Sequence, residues 1–136
     1  MTNKTLAQSY RFKALKRLKI LNVLLTEEAF SDVIREAQEI VELALKGMLR
    51  QMGIEPPKWH DVGDALLEFA DRLPEDCREH AQRLAEISKW LRKEREFSFY
   101  GDIDFIPTEE YDRDDAIRAI RDAEFVCEIV VKVIPA

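Results

Sequence analysis

The sequence predicts an all-α protein folded as a five-helix antiparallel up-and-down bundle. Apolar residues recur at three- and four-residue spacing through most of the 136 residues, as they do in amphipathic helices. The chain contains only four glycines and five prolines, and no useful length of it alternates apolar and polar residues as a half-buried strand does. Short breaks separate the helical segments, and short connections place successive helices side by side. We therefore expect a single helical domain over residues 1–136.

The first predicted helix covers residues 4–25. Its apolar stripe consists of Ala7, Tyr10, Ala14, Leu18, Leu21 and Leu25. Three further apolar residues, Phe12, Ile20 and Val23, fall outside this stripe, which indicates contact with more than one neighbour.

The second predicted helix covers residues 27–52 and has the clearest apolar stripe. Thr26 is predicted to cap it, because a hydroxyl can accept a hydrogen bond from the free N–H groups at a helix start. Gly53 is predicted to end the helix, and Pro57 prevents its continuation because proline lacks a backbone donor.

Three further helices complete the predicted bundle. The third covers residues 61–73, and Pro74 separates it from a fourth over residues 75–97. Asp112 is predicted to open the fifth helix after the longest break in the chain. The end of this helix, EIVVKVI, is apolar on nearly every side, which is typical of a segment buried by several neighbours or by another subunit.

Composition favours a soluble protein of the cytoplasm. Charged residues make up 35% of the chain, and the formal net charge is −6. No apolar run approaches the roughly 18 to 20 residues that a membrane-spanning helix needs, so we expect no membrane association. The N-terminus lacks the apolar core and cleavage site of a signal peptide. Cys77 and Cys127 match no metal-binding or redox spacing and are predicted to be buried free thiols.

Charge is distributed unevenly along the chain. Residues 1–25 hold six basic residues and no acidic one, whereas the remaining 111 residues hold 15 basic and 27 acidic ones. Strong sequence-independent binding of nucleic acid depends on the neutralisation of many phosphates. The acidic body is poorly suited to this, so we expect any contact with nucleic acid to be local.

The segment LRKEREFSFYGD, residues 91–102, is the richest in chemically useful side chains. Arg92, Arg95 and Phe99 lie at helical spacing and share one face. Two guanidinium groups and a stackable ring suit contacts with phosphates and bases. The same charges also fit a solvated helix face with internal Glu–Arg pairs. Tyr100 either donates a hydrogen bond to a phosphate or closes the helix as a half-buried side chain.

Gly101 and Asp102 are predicted to stop this helix and begin a turn. The acidic stretches DIDF, EEYDRDD and EDCRE lack the spacing and the glycine of a calcium loop, and most lie at helix starts, where acids act as caps. We therefore expect no metal site. No glycine-rich phosphate loop and no Cys/His nucleophile pattern indicates a cofactor.

Three stretches of the chain resemble the HEPN domain, a small helical domain. They are AQEIVELALKGMLRQMGIEPP, WHDVGDALLEF and REFSFYGDIDFIPTEEYDRDDAIRAIRDAEFV. The first is similar to the family's second-helix pattern, and the second to its His-Asp entry into the third helix. The last is similar to the Arg…Tyr-Gly-Asp segment and final helix of stand-alone prokaryotic members. The resemblance covers residues 5–134 and rests on the order and spacing of the stretches.

This resemblance implies a five-helix bundle that commonly forms a homodimer. It also implies one of two roles. Some family members are ribonucleases whose Arg-x(4–6)-His motif is assembled across the dimer, and others are the toxin half or the companion of a minimal nucleotidyltransferase. Here Tyr100 stands where the histidine would follow Arg95, and no histidine occurs after His80. The ribonuclease dyad is therefore not carried over.

Metal-independent cleavage of RNA needs a general base and acid near neutrality, which histidine provides and tyrosine, titrating near pH 10, does not. His80 is predicted twelve residues before Arg92 in the same helix, about 18 Å along the axis, and would have to come from the partner subunit. His60 is expected to be a helix cap or a hydrogen-bonded structural residue.

We therefore predict a non-enzymatic HEPN-like protein that dimerises and binds a nucleotide or RNA phosphate. The candidate ligand-binding residues are Arg92, Arg95, Tyr100 and Asp102. The predicted partner is a minimal nucleotidyltransferase in a toxin–antitoxin-like setting. One rival hypothesis is a degenerate metal-independent endoribonuclease that uses the same arginine. The other is a pure interaction module that docks a partner through the basic first helix, its apolar residues Phe12, Ile20 and Val23, and the apolar stretch IVVKVI of the last helix.

Overall fold

A computed structural model describes residues 5–58 and 61–136, and the side chains of all of these except Glu96, Phe97 and Phe99. Its α-helices are α1 (Leu6–Thr26), α2 (Phe30–Gln51), α3 (Val62–Glu68), α4 (Glu75–Arg78), α5 (Ala81–Phe99), α6 (Pro107–Glu110) and α7 (Arg113–Val133). Within these ranges there is no strand, only a single antiparallel bridge between Asp102 and Phe105. The all-α prediction is confirmed, but seven helices are present instead of five, because three short ones accompany four long ones. No helix in the described ranges is both long and apolar enough to cross a membrane.

The central element of the fold is α2. The helices α1, α5 and α7 each pack along it, and α3 and α6 also contact it. Twelve of its residues are buried. The largest of them are Ile34, Ile40, Leu45, Met48 and Leu49, all with no exposed surface. Because its neighbours cover most of α2, only a narrow polar edge of this helix reaches solvent.

The helix α1 covers one side of α2 with a stripe of mostly small residues. It begins with a capping box, in which the Thr5 hydroxyl accepts a hydrogen bond from the Gln8 backbone N–H at 3.1 Å. Its fully covered residues are Ala7, Ala14 and Leu21. The residues predicted to lie outside the stripe are exposed, at 53% for Phe12, 42% for Ile20 and 62% for Val23.

The prediction that Thr26 caps α2 is wrong. Thr26 is the last residue of α1, and its hydroxyl donates to the backbone oxygen of Asn22 at 2.9 Å. The chain then turns through Glu28, whose φ is +57°, and α2 begins at Phe30. The N-cap of α2 is Ala29, which forms no side-chain cap. The hydroxyl is therefore used to end one helix and not to start the next.

The predicted third helix is shorter than expected, and the fourth is divided. Asp61 caps α3 by accepting a hydrogen bond from the Gly63 N–H at 2.9 Å, and a 3₁₀ turn (Ala70–Arg72) follows the helix. A break at residues 79–80 then separates α4 from α5. The short α4 packs against α7, whereas α5 packs against α2 and α3. The predicted fourth helix is therefore two helices joined by a turn at residues 79–80.

The long connection after α5 is ordered by a tight turn. Gly101 has a φ of +72°, and a Cβ there would lie 2.4 Å from the Phe105 backbone oxygen. Two backbone hydrogen bonds, of 2.9 and 3.0 Å, join Asp102 to Phe105. At the start of α7, Asp112 forms a capping box with Asp115. The predicted helix stop at Gly101 and helix start at Asp112 are confirmed.

The C-terminal residues return to the start of α1. A Cβ on Gly47 of α2 would lie 3.0 Å from Ile134 Cδ1 and 3.2 Å from Tyr10 Cβ, so α1, α2 and the end of α7 meet closely at this glycine. The Gln8 side-chain amide donates to the backbone oxygens of Pro135 and Ala136, both at 3.3 Å. The first and last turns of the described fold are therefore in contact.

Both cysteines are buried free thiols, as predicted. Burial raises the pKa of the Cys77 thiol, with a further contribution from Asp76. Burial, followed by the charge of Glu124, raises the pKa of Cys127 to about 12. Both thiols are therefore neutral members of the core near pH 7.

Gly63→Ala should destabilise the protein, because α3 and α5 approach through this glycine. A Cβ at residue 63 would lie 2.9 Å from Ala85 Cα and 3.1 Å from its backbone oxygen. We expect the free energy of unfolding in urea to fall by about 1–3 kcal/mol, the usual cost of overpacking. Lys89→Ala, at an exposed position of α5, should change it by less than about 0.5 kcal/mol. Equal stability of Gly63→Ala and the parent protein would contradict the close approach of the two helices.

Candidate functional site

Arg95 lies on α5 and faces the polar edge of α2. Its Nη2 is 3.2 Å from Glu39 Oε1, and its Nη1 is 3.9 Å from Glu42 Oε2. The Arg95 side chain is nevertheless 45% exposed to solvent. A guanidinium carries five N–H donors, so two carboxylates on one side leave donors available on the other. Arg95 is therefore oriented by α2 and still accessible to a ligand.

The two glutamates that hold Arg95 also pair with cations of their own helix. Arg35 forms an ion pair with Glu39, and Lys46 Nζ lies 3.7 Å from Glu42 Oε1. Both pairs are four residues apart, a spacing that places side chains next to each other on a helix. Each carboxylate is thus shared between α2 and α5.

The row of charges continues to α1. Arg17 Nη1 lies 2.8 Å from Glu36 Oε1, and this hydrogen bond, followed by the carboxylate charge, raises the pKa of Arg17. The ion pairs described here therefore lie along one edge of α2 and involve side chains of three helices. The cations are Arg17, Arg35, Lys46 and Arg95, and the carboxylates are Glu36, Glu39 and Glu42.

A buried amide lies beneath this network. Gln38 is 4% exposed, and its Nε2 donates to Glu42 Oε2 at 3.2 Å. Its Oε1 is buried and has no hydrogen-bond donor among the described residues. Buried polar atoms are nearly always paired in folded proteins. The Gln38 amide therefore supports the Glu42 carboxylate from the buried side of α2.

Arg92 lies on α5 among other exposed basic residues. It is exposed, as are Lys89 and Lys93. A separation of three residues places Arg92 next to Arg95 on the helix surface. The two arginines proposed from the sequence are thus together on one face.

Tyr100 and Asp102 lie beyond the end of α5. Tyr100 is 75% exposed, so the alternative of a half-buried ring that closes the helix is wrong. The Asp102 carboxylate accepts a hydrogen bond from the backbone N–H of Ile103, inside the tight turn. The contact that the structure shows for the Asp102 carboxylate therefore lies within its own turn.

The described histidine does not join this face. His80 lies immediately before α5, at the opposite end of the helix from Arg95. Its ring packs edge-to-face on Phe125 with 5.4 Å between centroids, and its Nε2 is 3.4 Å from Glu79 Oε1. The helical rise puts His80 roughly 22 Å from Arg95 along the axis. His60 lies outside the described residues, and among those described no cluster of three or more His, Cys, Asp or Glu side chains could hold a metal ion.

Sequence reasoning missed the role of Glu39 and Glu42. Their spacing of three residues beside the apolar stripe of α2 was a visible signal, because it places both carboxylates on one edge of the helix. Their partner on α5 is 53 or more positions away in the chain, and a helical pattern does not identify a contact between two different helices.

Tyr111 also went unrecognised, although it ties the long connection to α5. Its hydroxyl donates to Glu94 Oε2 at 2.7 Å, and its ring packs edge-to-face on Phe105 with 5.7 Å between centroids. Burial, followed by the hydrogen bond and charge of Glu94, raises the pKa of Tyr111 well above its ordinary value. The contact fixes the segment that follows the candidate site.

Comparison with known proteins gave one match. The model of the HEPN domain matches residues 7–134. No match was found among curated proteins, and none among solved structures. The resemblance drawn from the three sequence stretches is confirmed.

Tyr111→Phe should lower the free energy of unfolding by about 1–2 kcal/mol near pH 8, because a hydrogen bond to a charged acceptor is lost. The raised pKa keeps the phenol protonated in the folded protein after the unfolded chain begins to lose its proton near pH 10. The difference in free energy of unfolding between the parent protein and Tyr111→Phe should therefore become smaller above about pH 10. Urea unfolding at about pH 8 and pH 11 measures the difference between the two proteins.

The matched control is Tyr10→Phe, which removes a hydroxyl without a hydrogen-bond partner among the described residues. It should leave the free energy of unfolding nearly unchanged at about pH 8. A stability difference between parent and Tyr111→Phe that stays constant up to pH 11 would exclude the shifted phenol as its source.

Proposed function

The chain belongs to the HEPN domain family, and from that premise we propose that it binds phosphate groups of RNA or of a nucleotide through Arg92 and Arg95 without cleaving the ligand. Tyr100 and Asp102 are assigned contacts with the same ligand. The observation that carries this proposal is the geometry of Arg95, which two carboxylates orient while about half of its surface stays exposed.

The electrostatics around Arg95 support binding of an extended ligand with several phosphates. Glu39 and Glu42 offset part of the positive charge of Arg95, so this side chain alone attracts an anion weakly. The neighbouring exposed cations of α5 add to it along the helix. A ligand with one phosphate uses only part of this face, whereas a single strand of RNA can contact several of its cations together.

The chemistry of the face favours binding over cleavage. Cleavage at a 2′-hydroxyl needs a proton acceptor close to the reacting atom, and efficient acceptors titrate near neutrality. The residue at the family's histidine position is Tyr100, and His80 lies at the other end of α5. The arginines therefore supply charge and orientation in this proposal, and no described side chain supplies the base.

A homodimer is part of the proposal. Apolar side chains that reach solvent on the outer face of α1 are the surface assigned to the second copy. They are Leu6, Phe12, Ile20 and Val23, with exposed fractions of 49%, 53%, 42% and 62%. Contact with another subunit would remove this apolar area from water.

A minimal nucleotidyltransferase is the protein partner that we propose, in a toxin–antitoxin-like pair. Family membership is the support for this assignment. It predicts that the two proteins co-purify when they are produced together from neighbouring genes.

Arg95→Ala should weaken binding of a fluorescent single-stranded RNA by tenfold or more, because a charge-assisted contact contributes about 1.5–3 kcal/mol. The slope of log K against log salt concentration should become shallower by roughly 0.7, the value for one phosphate contact with a single strand. Fluorescence anisotropy at several salt concentrations gives both quantities. Lys132→Ala removes one positive charge from an exposed position of α7 and is the control.

Equal affinities of Arg95→Ala and Lys132→Ala would remove Arg95 from the binding site. Gel analysis of the same RNA, incubated with the parent protein in chelator, tests the non-catalytic part. Cleavage that disappears in Arg95→Ala would establish the rival ribonuclease function.

Sedimentation at micromolar concentration should give twice the chain mass of 15.9 kDa. Val23→Asp places a charge on the outer face of α1 and should shift the mass towards one chain, with an unchanged helical circular dichroism spectrum. Lys132→Asp, a charge change at an exposed site of α7, should remain dimeric. A parent protein that sediments as one chain would contradict the dimer.

A further inference from the structure

A groove separates α5 from α7 on the flank of the bundle. Both helices pack on α2, but they contact each other much less than either contacts α2. Long side chains bridge the gap between them. Cavities of about 430, 220 and 250 Å³ follow one another along the groove. The first two share Arg83, Arg118 and Asp122, and Arg118 also lines the third, so the three form one continuous surface.

Three arginines line the largest cavity without a carboxylate partner. They are Arg83 on α5 and Arg118 and Arg121 on α7. Within the described part of the chain none of them forms an ion pair within 4.0 Å, although two aspartates, Asp114 and Asp122, line the same cavity. Exposed cations are commonly solvated, so the lack of a partner alone decides nothing. What distinguishes these arginines is how two of them are held.

Aromatic rings orient two of the three guanidinium groups. Arg83 Cζ lies 3.7 Å from the ring centroid of Phe125, and Arg118 Cζ lies 4.0 Å from that of Trp90. A guanidinium stacked on a ring keeps all its N–H donors at its own edge, directed away from the ring. Stacking therefore limits the motion of these side chains without using their hydrogen-bond donors. Such donors are pre-organised for an oxyanion.

The acidic side chains that line the cavities of about 430 and 220 Å³ are engaged elsewhere. The third cavity, which neither Arg83 nor Arg121 lines, also contains Glu94, Glu110 and Asp115. Asp122 Oδ2 accepts a hydrogen bond of 2.8 Å from Trp90 Nε1. Glu86 accepts one of 3.1 Å from Gln82 of its own helix. Asp114 lies in the first turn of α7, where the helix dipole favours a negative charge. Each carboxylate of the first two cavities has its own stabilising group, so a bound anion does not have to displace a carboxylate from an arginine.

We propose that this groove binds a small phosphorylated molecule, with its phosphate among Arg83, Arg118 and Arg121 and its organic part along Trp90 and Ile117. A phosphate monoester carries a charge of about −1.5 to −2 near pH 7 and three acceptor oxygens, which suits three guanidinium groups. The cavity of about 430 Å³ is much larger than a phosphate ion needs and lies in the range of sites for small molecules, roughly 300–1,000 Å³. The ligand therefore includes more than a free phosphate.

The groove is separate from the Arg95 face. Arg83 and Trp90 lie on the side of α5 that faces Arg118 of α7, whereas Arg95 pairs with Glu39 and Glu42 of α2. This inference therefore does not depend on the function proposed for Arg95. It predicts two anion sites that separate variants can remove.

Titration calorimetry with ribose 5-phosphate tests the proposal, with ribose as the uncharged counterpart. The parent protein should bind ribose 5-phosphate saturably and should not bind ribose. In the double variant Arg118→Ala/Arg121→Ala, the Kd should rise by tenfold or more, because at least one charge-assisted contact is lost. An unchanged circular dichroism spectrum establishes that the variant is folded.

Two control variants distinguish binding in the groove from a general attraction of anions to the protein surface. Arg72 also lies over an aromatic ring, with its Cζ 5.2 Å from the ring centroid of Phe69, but it is outside the groove. The variant Arg72→Ala should therefore bind ribose 5-phosphate as the parent protein does. Arg95→Ala should also bind ribose 5-phosphate normally. No saturable binding by the parent, equal binding of ribose, or an unchanged Kd in the double variant would each overturn the proposal.

Discussion

The burial of α2 is the constraint on which the rest of the structure depends. Its apolar residues form one broad face that no single neighbour covers, and α1, α5 and α7 all pack along it. This arrangement brings the polar edge of α2 against α5, where Glu39 and Glu42 meet Arg95. It also places α5 and α7 on the same core without close contact between them, which leaves the groove on that flank. The two candidate binding surfaces are therefore consequences of one packing requirement.

The two surfaces hold their arginines by different physical means. Arg95 is oriented by carboxylates, which offset part of its charge and therefore reduce its attraction for any single anion. Arg83 and Arg118 are oriented by Phe125 and Trp90, which leave the charge and the donors of the guanidinium in place. A ligand with many phosphates suits the first arrangement because several weak contacts add together. A compact ligand with one phosphate suits the second.

Local chemical signals in the sequence predicted local structure well. The glycine at Gly101 and the aspartate at Asp112 set a helix stop and a helix start through their own backbone geometry and side-chain bonds, and both are found as expected. Thr26 was misassigned because its hydroxyl could either accept a hydrogen bond at the start of α2 or donate one to a backbone oxygen of α1. In the fold it donates to the backbone oxygen of Asn22 in α1. The ion pairs of Arg95 depend on a second helix that is distant in sequence. The arginine face of the site was therefore predictable, whereas its partners required the assembled fold.

The contact between the two ends of the fold affects how the chain reaches its structure during synthesis. A ribosome completes α1 and α2 first, and these two helices can pair at once. The side of α2 on which α7 packs stays uncovered until α7 has been synthesised. During that interval the nascent chain exposes an apolar helix surface of the kind that chaperones bind. The first two helices therefore do not form the complete core by themselves, and α7 is needed to finish it.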